Sequence, residues 1–88
     1  MPRYRRAPDI VATTLDDGTF LVDPATQDIF HLDALGGGVW NALADPESRD
    51  DLLALLREAF PDIDPAVVAA DLDALLADLS ARGLVAVA

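Results

Sequence analysis

Between Ile10 and Leu32 the chain carries three short β-favouring runs separated by two tight-turn signals, and this spacing leaves little choice of topology. "IVATTL" at 10–15 is rich in β-branched residues and predicts a strand. "DDGT" at 16–19 is a turn signature, with Gly18 supplying the positive φ. "TFLVD" at 19–23 predicts a second strand, the proline-led "PATQ" at 24–27 a second turn, and "DIFHL" at 28–32 a third strand. Connections this short cannot carry a crossover, so the three strands form an antiparallel meander.

The second turn also predicts a register. Four loop residues set Asp23 opposite Asp28, Val22 opposite Ile29 and Leu21 opposite Phe30. Leu21, Phe30 and Leu32 then share one face, and Phe20, Val22, Ile29 and His31 the other. One of these faces has to be covered by the rest of the chain.

Three helices follow. Asp33 is placed to cap the first, which runs to about Ala44 with an apolar stripe of Leu35, Val39, Trp40 and Leu43. Three consecutive glycines, Gly36 to Gly38, sit inside it. Each costs an exposed helix roughly 1 kcal/mol relative to alanine. Their presence predicts a close approach of this helix to the sheet. Ser48 followed by Asp51 resembles a capping box for a second helix at about 49–59, with Leu52, Leu55, Leu56 and Phe60 inward and Pro61 as its stop. In "DPAVVAADLDALLADLSARGLV" Asp64 is the cap and Pro65 the first helical residue. Val68, Leu72, Leu75, Leu76 and Leu79 form its core stripe, while Asp71, Asp73 and Asp78 face outward. Gly83 ends it in a Schellman-type turn that brings Leu84 back onto Leu79, and "LVAV" leaves extended. Strands first and helices after predict an α+β fold, with a three-stranded antiparallel sheet packed on three helices.

With 88 residues the chain suits one domain, and 52% hydrophobic residues suffice for a core. We expect residues 1–9, "MPRYRRAPD", to be a flexible basic arm and residues 10–88 to be the folded domain. No apolar run approaches membrane length, and the N-terminus lacks the apolar stretch of a signal peptide. There is no cysteine, which fits a cytoplasmic protein. The net charge of −10 disfavours nucleic acid over most of the surface.

The chemical inventory is thin. Lysine and cysteine are absent, and neither Ser48 nor Ser80 lies in a nucleophile-elbow context. His31 has no companion ligands at metal spacing and reads as an ordinary strand histidine. "DIDPAVVAAD" lacks the glycine and terminal glutamate of a calcium loop, and the triple glycine lacks the lysine of a phosphate loop. Nothing in the chain calls for a cofactor or for catalysis.

What remains is a shape. The last strand of a meander has one neighbour and one free edge, and "DIFHL" carries neither proline nor lysine to guard it. Such an edge accepts an extended peptide as an added strand, and the long third helix is the natural second wall of a groove.

"DGTFLVDPATQDIFHLDALGGGVWNAL" followed by "DDLLALLREAFPDIDPAVVAADLDALLADLSARGLV" resembles the PqqD-like family of recognition elements for ribosomally made, post-translationally modified peptides (RiPPs), over about residues 10–85. Asp33 stands where that family usually has asparagine, and the glycine run replaces its more usual Thr-Gly/Ala helix start. The resemblance implies a winged helix-turn-helix-like fold and a non-catalytic peptide chaperone. It implies a partner, the leader segment of a precursor peptide, presented to a modifying enzyme such as a radical S-adenosylmethionine enzyme, a cyclase or a protease. Carried over by position, the strand of Asp28, Ile29, Phe30, His31 and Leu32 would pair with the leader. Val68, Asp71, Leu72 and Leu75 would line the helix side.

Two other readings fit the same fold. A winged-helix DNA-binding regulator needs a basic recognition helix, and the third helix here is acidic. A subunit pairing its free edge with a second copy of itself would form a homodimer.

Overall fold

The element order is β1 (Arg3–Arg6), β2 (Val11–Leu15), β3 (Gly18–Asp23), β4 (Asp28–Leu32), α1 (Ala34–Ala42), β5 (Glu47–Ser48), α2 (Arg49–Ala59), α3 (Pro65–Ala81) and β6 (Val85–Val87). The computed structural model describes residues 2–87. Met1 and Ala88, the ends of the expected arm and domain, lie outside the described residues.

The meander forms as β2-β3-β4 in the expected register, with Leu21 opposite Phe30, Val22 opposite Ile29 and Asp23 opposite Asp28. Gly18 is at φ +131°, and a Cβ there would lie 2.3 Å from the Leu32 carbonyl oxygen. Only glycine fits that turn. Leu21 and Leu32 are buried and Phe30 is half-buried against the helices, while Ile29 and His31 on the opposite face are exposed. β2 is exposed along its whole length and projects as a wing.

All three expected N-caps form. Asp33, Ser48 and Asp64 side-chain oxygens accept from the backbone N–H groups of Gly36 (2.9 Å), Asp51 (3.1 Å) and Ala66 (2.8 Å). At the end of α3, Gly83 at φ +73° lets the Leu84 N–H donate to the Leu79 carbonyl at 2.9 Å, and Leu84 is buried. The core gathers Leu21, Leu32, Val39, Trp40, Leu43, Leu52, Leu56, Val68, Leu72, Leu76, Leu79, Leu84 and Val85.

The basic arm is corrected over residues 3–6. They form β1, which pairs with β6 (Tyr4 opposite Val87) and with β5 (Arg3 opposite Ser48), making a second three-stranded sheet. The physical reason is Arg6. Its guanidinium lies 5.0 Å from the Trp40 ring centre and donates from Nε (2.8 Å) and a terminal nitrogen to the Trp40 carbonyl. That carbonyl is in the last turn of α1, where helix oxygens lack helical partners and a cation is favoured.

The glycines divide by role. A Cβ on Gly36 would lie 3.1 Å from the Leu32 side chain, and one on Gly37 would lie 2.9 Å from Thr19 Oγ1. These two set the close approach of α1 to the sheet. Gly38 is exposed, and its Cβ would meet only Leu56 Cδ2 at 3.8 Å. Gly37→Ala is therefore expected to destabilise by about 1 kcal/mol through overpacking. Gly38→Ala is expected to stabilise by about 0.5–1 kcal/mol through helix propensity. Urea denaturation of the two variants checks the opposite signs.

Arg49 joins α2 to α3 by donating to both oxygens of Asp73, at 2.5 and 3.0 Å. The hydrogen bond from Arg49, then its charge, holds the Asp73 carboxyl below its ordinary range. The folded value is depressed, so this contribution is present above the ordinary carboxylate range and is lost as pH falls through the lowered value. Thermal melts taken down through the acid range are expected to fall less steeply in Asp73→Asn than in the parent. The difference is small, because both groups are exposed.

Candidate functional site

β4 pairs with β3 on one side, and among the described residues no strand pairs with its other edge. The extended C-terminal segment is the natural candidate to close that edge, and it pairs with β1 instead. Alternate backbone N–H and C=O groups of β4 therefore face outward.

Beside this edge lies a cavity of about 110 Å³. Leu21, Phe30 and Leu84 give it an apolar floor, and Asp23, Asp28, Ile29 and Arg82 complete its rim. The Schellman turn at Gly83 builds one wall by swinging Leu84 inward and leaving Arg82 at the helix end. The Arg82 guanidinium sits 4.6 Å from the Phe30 ring centre and donates to Asp78 at 3.1 Å. It thus lies across the floor as a cover held by a carboxylate one turn back.

Successive helical residues rotate by about 100°, so Asp71, Leu75, Asp78 and Arg82 fall within about 60° of one another along α3 and its C-cap. This stripe leads to the Phe30 end of β4. Asp71 and Asp78 are exposed, and Leu75 is half-buried against the core. Val68 and Leu72 do not belong to the stripe. Both are completely buried, and the structure places both side chains in the core and outside the cavity beside β4.

On β4, Ile29 is 67% exposed and Asp28 and His31 are exposed, while Leu32 is buried. His31 is engaged structurally. Its Nε2 donates to the Asp17 carbonyl at 2.8 Å, and its ring lies 4.9 Å from that of Phe20. The residues missed by sequence reasoning are Arg82, Asp78, Leu21, Asp23 and Leu84. The seven- and eleven-residue steps from Asp71 to Asp78 and Arg82 were the available signal.

Electrostatically the groove is acidic. Asp23 and Asp28 are direct cross-strand partners, and the Asp23 carboxylate accepts from the Ala25 N–H at 2.9 Å. A larger hollow of about 430 Å³ lies between the Asp16–Asp17 turn and α1. Its polar lining is Thr14, Asp16, Asp17, Thr19, Asp33 and Asn41. No cluster of three metal-ligating side chains occurs among the described residues. No described helix is long and apolar enough to cross a membrane.

Solved structures share this fold. TbiB1 in complex with the TbiA(beta) leader peptide superposes with a TM-score of 0.78 at 23% identity, over 92% of this chain and 93% of that one. Lasso peptide synthetase B1 complexed with the leader peptide gives 0.78 at 22% identity, over 94% and 96%. The solution NMR structure of the PqqD truncation of Methylobacterium extorquens PqqCD, a functional and stand-alone RiPP recognition element, gives 0.75 at 20% identity, over 96% and 88%. No curated protein sequence matches. The family described as coenzyme PQQ synthesis protein D matches residues 18–85. By that match over most of its length, the chain belongs to the PqqD family.

Proposed function

We propose that this chain is a non-catalytic adaptor that captures the leader segment of a ribosomal precursor peptide by strand addition at β4 and presents it to a modifying enzyme. The observation that carries this reading is the open edge of β4 beside an apolar floor covered by Arg82. Backbone hydrogen bonds along 28–32 supply affinity, and the Leu21–Phe30–Leu84 floor takes an apolar side chain of the guest. Asp23, Asp28, Asp71 and Asp78 favour a guest with basic residues beside that anchor. The fold is shared with two proteins solved with a leader peptide, which supports the same mode here. The enzyme served is a radical S-adenosylmethionine enzyme, a cyclase or a protease, working in the cytoplasm where the precursor is made.

The DNA-binding alternative finds no support in the α3 surface. Asp71, Asp73 and Asp78 are exposed there, and Arg82 and Arg49 are ion-paired to Asp78 and Asp73.

The test is calorimetry and amide exchange with the leader of the precursor peptide encoded nearest to this chain's gene. The expected result is one peptide per chain, with new protection of amides in 28–32. Binding that leaves β4 amides exchanging as before would overturn the strand-addition mode.

A further inference from the structure

Leu55, expected on the inner face of α2, is 45% exposed. It stands at the lip of a trough of about 390 Å³ between α1 and α2, whose walls are almost wholly apolar: Val39, Ala42, Leu52, Leu56 and Ala59 besides Leu55. The trough is open because Gly38 contributes no side chain to it. It shares no lining residue with the β4 groove.

Both banks are acidic. Across Gly38 and Asn41 lies the hollow carrying Asp16, Asp17 and Asp33. Across Leu55 lies a shelf carrying Glu47, Asp51 and Glu58, with Arg57 as its one cation. Among the described residues none of these six carboxylates takes part in an ion pair. An apolar channel between two unneutralised acidic banks repels acidic surfaces and selects its opposite.

We propose that the α1/α2 trough is a second docking surface, and that its occupant is a basic amphipathic helix of a partner protein. Apolar residues spaced along one face of that helix fill the space above Gly38 and Ala42, and lysines or arginines on its flanks meet the two banks. The acidic field of the whole chain steers such a partner in. Because this surface and the β4 groove are disjoint, one chain holds a guest peptide and a partner protein together. The proposal itself does not depend on what β4 binds.

The test uses a synthetic amphipathic helix of leucine and lysine, its scrambled isomer of equal charge, and the full chain. Amide shifts map the contact, and anisotropy titration measures affinity. Shifts are expected on Gly38–Ala42 and Leu52–Ala59. Gly38→Leu, which fills the trough, and Leu55→Lys, which alters only an exposed position, are each expected to weaken binding about tenfold or more. Phe30→Asp is expected to leave it unchanged, which separates this surface from the β4 groove. Equal binding of the scrambled isomer, shifts confined to β4, or full affinity in both trough variants would overturn the proposal. So would sedimentation showing the free chain as a dimer that Gly38→Leu dissociates, since the occupant would then be a second copy.

Discussion

The Phe30→Asp variant is expected to bind a leader peptide at least about a hundredfold more weakly while remaining folded. A hundredfold corresponds to about 2.7 kcal/mol, and two effects supply it. Burying a guest side chain against an aromatic floor is worth about 1.5–3 kcal/mol, and aspartate removes that floor. The new carboxylate also lies within reach of Arg82, which already sits 4.6 Å from the Phe30 ring centre. Arg82 would then be drawn down into the cavity the guest must enter. The cost to the fold is limited to about 1–2 kcal/mol, because Phe30 is only half-buried. Phe30→Leu keeps an apolar floor and is expected to retain most of the affinity. Calorimetry on both variants, with circular dichroism melts as the folding control, decides the matter. Parental affinity in Phe30→Asp would show that the guest does not use this groove.

Trp40→Ala is expected to lose about 3–5 kcal/mol of stability, the range for emptying a large aromatic site. A domain of this size holds only some 5–10 kcal/mol in total, so the variant sits near the edge of folding. Trp40 is 2% exposed, and its ring carries the Arg6 guanidinium that ties β1 to α1. Removing the indole leaves a cavity and strips that guanidinium of its stacking partner. Because Trp40 is the only tryptophan, the denaturation has to be followed by far-ultraviolet circular dichroism. Arg6→Ala, which keeps the indole, is expected to cost about 1–2 kcal/mol through the lost charged hydrogen bonds. A loss below about 1 kcal/mol in Trp40→Ala would mean that the residue is not a core anchor.

The legible parts of this protein rest on neighbours in sequence. The Asp23–Asp28 register follows from a four-residue turn, and the caps at Asp33, Ser48 and Asp64 follow from side chains reaching two or three residues ahead. The Gly83 turn follows from one positive φ. β1 was missed because Tyr4 pairs with Val87 at the far end of the chain, and an arginine-rich segment has no apolar alternation to announce a strand. At the groove, the free β4 edge was legible from strand order. Arg82 over Phe30 was not, because that contact depends on where the end of α3 comes to rest against the sheet. Val68 and Leu72 show the same limit in reverse, since periodicity marks a helix face as apolar without saying whether core or guest covers it.

Sequence alone therefore determined the three-stranded meander, the three capped helices and an unguarded strand edge, since each is set by short-range geometry and local hydrogen bonding. Tertiary structure alone decided that Leu55 lies open, that Arg6 is bound to α1 and that Arg82 covers the groove. Those outcomes depend on how closely helices and sheets approach, and Gly36 and Gly37 set that distance only once the partners opposite them are in place.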